Sequence, residues 1–104
     1  MLISTMDHIE GKKVVRHIGL VKGNTIRARH VGRDIMAGLR NIVGGEIGDY
    51  TKMMAESREQ ALDRMIEDAQ NQGANAILQV RFATSMVMQS ASEMLAYGTA
   101  VVIE

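Results

Sequence analysis

The sequence predicts a single α+β domain, and three observations support this. Stretches rich in β-branched residues, typical of strands, lie near both ends of the chain at residues 13–23 and 98–104. Between them, apolar residues recur at three- and four-residue spacing, which is typical of helices that cover a sheet with one face. No linker, repeat or change of composition divides the 104 residues, so we predict one domain spanning 1–104.

Extended structure is predicted for much of the first third of the chain. Residues 2–6, LISTM, are typical of a short strand. A second strand is predicted over KVVRHIGLVKG, and it ends at Lys22, Gly23 and Asn24 because these residues favour a turn. Residues 25–32, TIRARHVG, place alternate side chains on opposite faces and predict a further half-exposed strand.

One short and one long helix are predicted in the middle of the chain. Asp34 can cap the short helix over 34–43, and Gly44 follows its last apolar residue, where helices commonly end. The long helix is predicted over 49–72, with Gly73 as its stop. After it, GANAILQVRF begins another strand and GTAVVIE forms the last one, whereas SMVMQSASEM between them is ambiguous.

The long helix has an apolar side and a charged side. Lys52 and Glu56 lie four residues apart, as do Arg64 and Asp68, so the charged side is predicted to be a solvated face. Arg58 interrupts the apolar side, so it either reaches solvent or a structural partner, or it binds an anion inside a pocket. The apolar residues on this side are Tyr50, Met54, Ala61, Leu62, Met65, Ile66 and Ala69.

The composition indicates a weak core for a single copy. The chain has three aromatic residues and nine methionines, and aromatic side chains usually contribute the largest buried apolar area. A domain of this length also buries only about two-thirds of its surface when it folds alone. We therefore predict that the chain associates with copies of itself.

Charge is balanced overall but not along the chain. Residues 1–40 carry eight basic and three acidic groups, a net +5, and residues 41–104 carry four basic and nine acidic groups, a net −5. The two parts are expected to neutralise each other within or between subunits. The formal net charge of zero and the scarcity of aromatic residues argue against a nucleic-acid partner.

Several classes of protein are disfavoured by what the sequence lacks. Without cysteine there is neither a disulfide nor a thiolate metal site. No stretch resembles a signal peptide or a membrane span, so we predict a cytoplasmic protein with no membrane partner. No nucleophile lies in a recognisable motif with a base, so we predict no enzymatic activity and no cofactor.

The glycine cluster Gly44, Gly45 and Gly48 is the most conspicuous motif, but it fits no phosphate-binding pattern. The spacing is not that of G-x-G-x-x-G, and no Lys-Ser/Thr pair follows it. Amides at the head of the following helix can attract an anion, although Glu46 and Asp49 oppose this by charge. The cluster is best interpreted as a sharp reversal between two helices.

Two further hypotheses concern bound ions. His17 and His30 lie on neighbouring extended segments, and together with Arg29 they are candidate ligands for a metal ion or a small anion. The thioethers of Met86, Met88 and Met94 can hold a soft ion such as Cu(I), although methionine more commonly fills a core.

Four segments follow one another in the chain: DIMAGLRNIVGGEIGDY, SREQAL, GANAI and YGTAVVI. Together they resemble the YbjQ-like family, an uncharacterised family labelled a "putative heavy-metal-binding domain". The resemblance implies a dodecin-like βαββ unit whose antiparallel sheet is covered by one short and one long helix. It further implies extra short strands at the contacts of a homopentamer. The structural residues would then include Gly44, Gly45, Arg58 and Gly98. Gly73 is also predicted to be structural, because of its place after the long helix.

Two departures from the family pattern bear on function. Glu10 and Gly11 stand where the family often has Pro-Gly, and the chain has no cysteine to support the heavy-metal label. We therefore predict a cytoplasmic, non-enzymatic homo-oligomer, with a pentamer as the expected assembly. The alternative is a carrier of a metal ion or small anion, with sites between subunits near His17, Arg29 and His30. A third possibility is an enzyme whose catalytic residues come from neighbouring subunits.

Overall fold

The computed structural model describes residues 1–28, 47–88 and 91–104. These residues form, in chain order, strand β1 (Leu2–Ile3), strand β2 (Val14–Ala28), helix α1 (Ile47–Asn71), strand β3 (Ala76–Met88) and strand β4 (Ala91–Ile103). The predicted α+β class and the βαββ order are confirmed, with β1 as an additional short strand. The short helix predicted over 34–43 lies outside the described residues.

The four strands form one sheet in the order β1-β3-β4-β2. Strands β2 and β3 each pair antiparallel with β4, whereas β1 runs parallel to β3, with Leu2 opposite Ala76. The sheet is therefore mixed, and the prediction of a wholly antiparallel sheet is wrong at this edge. The reason is that the N-terminal segment follows β3 in the same direction, and the Ser4 amide donates to the Ile77 carbonyl at 2.9 Å.

The turn predicted at Lys22, Gly23 and Asn24 is wrong, because β2 runs without a break through all three residues. Gly23 is required by a contact with the helix and not by a turn. A Cβ atom built on it would lie 2.3 Å from both the Ala61 carbonyl oxygen and the Met65 amide nitrogen. Such distances are far below van der Waals contact, so the absent side chain allows α1 to approach the strand.

The ambiguous segment SMVMQSASEM falls largely within two long strands. Strand β3 extends to Met88, and β4 begins at Ala91, seven residues before the predicted final strand. The two strands pair along most of their length, from Ala76 opposite Val101 to Met88 opposite Ala91.

Helix α1 closely matches the predicted range of 49–72. It packs on the sheet through a stripe at four-residue spacing, in which Ala61, Met65 and Ala69 are fully buried. At its end, Gly73 has φ +85°, its amide donates to the Gln70 carbonyl, and the Ala74 amide donates to the Ala69 carbonyl. This pair of bonds with a left-handed glycine is a common way to satisfy the last carbonyls of a helix.

The core consists of two clusters on opposite faces of the sheet. The larger one joins Met65 and its neighbours on α1 to Val21, Ile77 and Ala96. The smaller one lies on the other face, where Ile9 and Val14 pack against the buried set Ala76, Leu78, Val101 and Ile103. The larger cluster reaches along β4 to Met94, opposite Thr84, whereas the smaller one lies toward the other end of the sheet.

Candidate functional site

The structure describes one of the three predicted ligand residues. His17 lies in β2 opposite Val101, and its side chain is exposed. Arg29 and His30 lie outside the described residues, as do Gly44 and Gly45. The proposed convergence of His17, Arg29 and His30 therefore stays a prediction.

Arg58 is exposed on α1, beside the buried Ser57. The interpretation as an anion-binding residue required a guanidinium enclosed in a pocket, and within one chain Arg58 is not enclosed. The helix instead turns Ser57 toward the sheet, where its hydroxyl bonds to that of Thr25. Gly98, which was also predicted to be a structural residue, is buried in β4 opposite Val21.

The described residues do not bring together a metal site. Among residues 1–28, 47–88 and 91–104, no group of three or more His, Cys, Asp or Glu side chains is placed to hold a metal ion. The three candidate methionines also differ in exposure. Met94 is 4 % exposed in the core, whereas Met86 is 74 % and Met88 is 62 % exposed. The soft-ion hypothesis for these three methionines stays a prediction.

Among the described residues, Asp7 and His8, two neighbours in the N-terminal segment, have shifted pKa values. His8 Nδ1 lies 2.8 Å from Asp7 Oδ1, and both side chains are exposed. The hydrogen bond to Asp7 raises the pKa of the His8 imidazole, and the same bond lowers the pKa of the Asp7 carboxyl. This is a local surface pair, and it gives His8 no enclosed position from which to act on a ligand.

One edge of the sheet is closed by the charged side of α1. The Asp68 carboxylate accepts a hydrogen bond from the Lys22 amide at 3.2 Å, and Arg64 Nη1 donates to the Asn24 carbonyl at 2.6 Å. Arg64 and Asp68 thus bind the backbone of the edge strand β2, a contact that the prediction of a solvated face did not include. Their spacing is right, but it places both side chains over the same strand.

The same row of helix residues continues toward the end of β2. Arg27 Nη2 donates to Gln60 Oε1 at 3.0 Å, and Arg27 Nη1 lies 3.7 Å from Glu56 Oε2. Glu56, Gln60, Arg64 and Asp68 occur at four-residue intervals, so they form one row along the helix. Unpaired strand edges invite association with other strands, and this row covers the β2 edge with side chains.

Among the described residues, the hairpin end of β3 is exposed, throughout residues 81–88. Helix α1 packs chiefly on β2 and β4 and touches little of β3. Phe82 and Thr84 share the helix-side face with the buried Ala96 and Met94, which they oppose in the register. Phe82 is nevertheless 44 % exposed. We refer to residues 82–88 of β3 as the open strand.

The open strand is also rich in exposed apolar side chains. Besides Phe82, it carries Met86, Val87 and Met88, each more than half exposed. Residues 85–94 show no clear helical or alternating pattern, so this surface was not predicted. No helix among the described residues is both long enough and apolar enough to cross a membrane.

The fold and this surface define a class: a two-layer α+β protein of βαββ order whose sheet is only partly covered by its helix. The chain belongs to the family YbjQ_1, whose model matches residues 1–104 and carries the description "Putative heavy-metal-binding". It is similar to a UPF0145 protein of Dehalococcoides mccartyi, with 59 % identity over 104 residues and complete coverage of both chains. A UPF0145 protein of Methanosarcina acetivorans is 55 % identical over 103 residues, covering 99 % of this chain and 97 % of the relative.

A solved structure supports the fold. The crystal structure of a protein of unknown function from Pediococcus pentosaceus, assigned to the DUF74 family, superposes with a TM-score of 0.71. The alignment covers 100 % of this chain and 98 % of that chain at 17 % identity. At this level of identity the likeness concerns the architecture alone.

Proposed function

We propose that this protein is a cytoplasmic, non-enzymatic homo-oligomer whose role depends on self-assembly, with five copies forming a ring. The observation that carries the proposal is the surface of the single chain. It exposes 6891 Å², whereas a compact monomer of 11.4 kDa exposes about 5,800 Å². The excess of about 1,100 Å² is similar to the roughly 800 Å² that each partner contributes to a stable interface.

The dimensions of the chain support the same proposal. Its Cα radius of gyration is 17.3 Å, with extents of 55 × 22 × 16 Å. A compact domain of this length has a radius of gyration of about 13 Å. The elongation follows from strands of 13 to 15 residues that form one narrow sheet. Such a shape has little interior of its own, and association supplies the missing burial.

The ring of five rests on the family resemblance and on the charge distribution. The net +5 of residues 1–40 and the net −5 of residues 41–104 suit a head-to-tail arrangement, in which a basic surface of one subunit meets an acidic surface of the next. A chain without cysteine needs no oxidising compartment, which agrees with a cytoplasmic location.

Light scattering coupled to size exclusion tests the assembly. At micromolar concentration and about 0.1 M salt, where charges still attract over roughly 10 Å, we expect a particle of five times 11.4 kDa, about 57 kDa. Raising the salt to about 1 M shortens that range to roughly 3 Å, so a fraction of smaller species is expected. A monodisperse 11.4 kDa particle would contradict self-assembly, and a salt-independent oligomer would contradict only its electrostatic part.

A second candidate is a carrier of a metal ion or small anion with sites between subunits. The family description and the exposed position of His17 favour it. Elemental analysis of untagged protein is then expected to find a stoichiometric metal, which the double variant His17→Ala, His30→Ala loses. His8→Ala is the matched control, since it removes another exposed histidine and should keep the metal. Untagged protein free of metal after incubation with Zn²⁺ or Cu⁺ would exclude a metal carrier.

A further inference from the structure

The face of the sheet that α1 does not cover can be assigned along β4. Every residue of this strand pairs in turn with β2, so its side chains alternate regularly between the two faces. Ala96 and Ala100 belong to the core cluster on the helix side, whereas Val101 and Ile103 belong to the cluster on the other face. By this alternation Tyr97 lies on the face away from α1, which we call the outer face.

Two basic residues flank Tyr97 on the outer face. Lys22 of β2 and Arg81 of β3 are its register partners in the two neighbouring strands, and directly opposed residues share a face. Neighbouring strands lie about 4.8 Å apart, so the backbones of the two basic residues are about 10 Å from each other, with Tyr97 between them. All three residues are exposed. We refer to Lys22, Tyr97 and Arg81 as the outer-face triad.

Neither basic side chain of the triad is neutralised by an acid in the described part of the chain. No ion pair among residues 1–28, 47–88 and 91–104 involves Lys22 or Arg81. The Asp68 carboxylate does accept a hydrogen bond from the Lys22 amide, but this is a bond to the backbone at the strand edge. The same carboxylate also accepts a bond from Gln72 Nε2 at 2.9 Å.

Two further acids of this region are bound to neighbours of their own. Glu93 shares the outer face, but it lies four residues from Tyr97 along β4, a distance of about 13 Å. Asn24 Nδ2 donates to the Glu93 carboxylate at 3.2 Å. Asp7, in the N-terminal segment beside β3, is bonded to His8 at 2.8 Å. The surface around Tyr97 is therefore basic, although the formal net charge of the chain is zero.

The guanidinium of Arg81 is also held in position. Its Nη1 donates to the Thr5 carbonyl at 2.8 Å and to the Val80 carbonyl at 2.9 Å. These bonds use the two hydrogens of Nη1, and within the described residues they leave Nε and Nη2 without a partner. Nε and Nη2 form one edge of the planar group, and the two N–H bonds of such an edge fit two oxygens of a phosphate.

We infer that the outer-face triad binds the phosphate group of a small molecule, with Arg81 and Lys22 contacting its oxygens. A phosphate monoester carries a charge of about −1.5 to −2 at neutral pH, which matches two cations without acidic partners better than one carboxylate does. The exposed ring of Tyr97 offers a surface on which one base of a nucleotide can stack. A single ring cannot hold successive bases, so the ligand is a small molecule and not a nucleic-acid strand.

This site is distinct from the assembly and from the second candidate function. All three residues of the triad belong to one chain, so the inference does not rest on the proposed self-assembly. They also differ from the candidate ligands of the carrier, His17, Arg29 and His30. The inference therefore adds a ligand class and a location that neither proposed function contains.

Isothermal titration of the full chain with inorganic phosphate and with AMP tests the inference. Lys22→Gln and Arg81→Lys, measured separately, are each expected to weaken the binding of both probes by at least about ten-fold. The first removes a charged donor, and the second keeps the charge but removes the planar edge. Lys52→Gln is the matched control, because it removes an exposed lysine of α1 and should leave both affinities unchanged. Circular dichroism verifies that each variant keeps its secondary structure.

The two probes separate two sources of the phosphate group. Tighter binding of AMP than of inorganic phosphate by at least about ten-fold, lost in Tyr97→Ala, supports the site and identifies a nucleotide as its ligand. Equal affinities that Tyr97→Ala leaves unchanged support the site with free phosphate as its ligand. No binding of either probe at millimolar concentration, or an equal loss in Lys52→Gln, overturns the inference. Light scattering measures the assembly independently, so this failure leaves self-assembly standing.

Discussion

Gly23→Ala is expected to lower the free energy of unfolding by about 3 kcal/mol or more, at the upper end of the range for overpacking. The added Cβ would lie 2.3 Å from the Ala61 carbonyl oxygen and 2.7 Å from the Arg64 carbonyl carbon. Both are backbone atoms inside a helix, so no side-chain rotation relieves the contact and α1 must move away from β2. Urea denaturation at fixed protein concentration measures the loss.

Gly19→Ala is the control for the Gly23 prediction. Gly19 has φ +132°, and nothing lies within 4 Å of the Cβ position. The substitution therefore introduces backbone strain without a steric contact, which costs about 1–3 kcal/mol. If Gly19→Ala proves as destabilising as Gly23→Ala, the close approach of helix and strand is not what makes glycine necessary at position 23.

Gly23 also shows why one part of the fold could be predicted from the sequence and another could not. Helix α1 produces a periodic pattern over 25 residues and ends in Gly73, and both signals are local. Strand β2 contains Lys-Gly-Asn in its middle, which locally indicates a turn. The glycine is present because of its contact with Ala61 and Met65, about forty residues along the chain, and no local pattern shows such a contact.

The candidate surface was missed for a related reason. Residues 85–94 mix small polar residues with methionine, and neither a helical nor an alternating pattern dominates. The signal that can be read is the absence of charge over residues 82–92, which is notable in a chain with 23 % charged residues. Uncharged segments are also typical of buried strands, so the sequence alone does not show that this one forms an open edge.

The row on α1 illustrates the same limit for charged residues. Four-residue spacing places Arg64 and Asp68 on one side of a helix, and the sequence shows this correctly. Whether they bind each other or a third group depends on where the sheet edge lies. In the structure they bind the Asn24 carbonyl and the Lys22 amide, so residues expected to face solvent also protect a strand.

Met65→Ala is expected to lower the free energy of unfolding by about 3 kcal/mol, within the range for truncating a buried methionine. Met65 is fully buried and is the largest of the enclosed side chains. It belongs to the cluster that joins α1 to Val21 and Ile77. Its removal leaves a cavity between the two layers, where the fixed helix and sheet can close only partly. Thermal and urea unfolding at fixed concentration measure the effect.

Met6→Ala provides the matched control, because Met6 is 56 % exposed and belongs to neither core cluster. Its truncation should change the free energy of unfolding by less than about 0.5 kcal/mol, as is usual for surface positions. Equal losses for the two variants would contradict the position of the core between α1 and the sheet. A large loss for Met65→Ala that keeps the assembly size would separate the stability of one subunit from self-association. The cluster that holds Met65 contacts the first half of β3 through Ile77 and Val80.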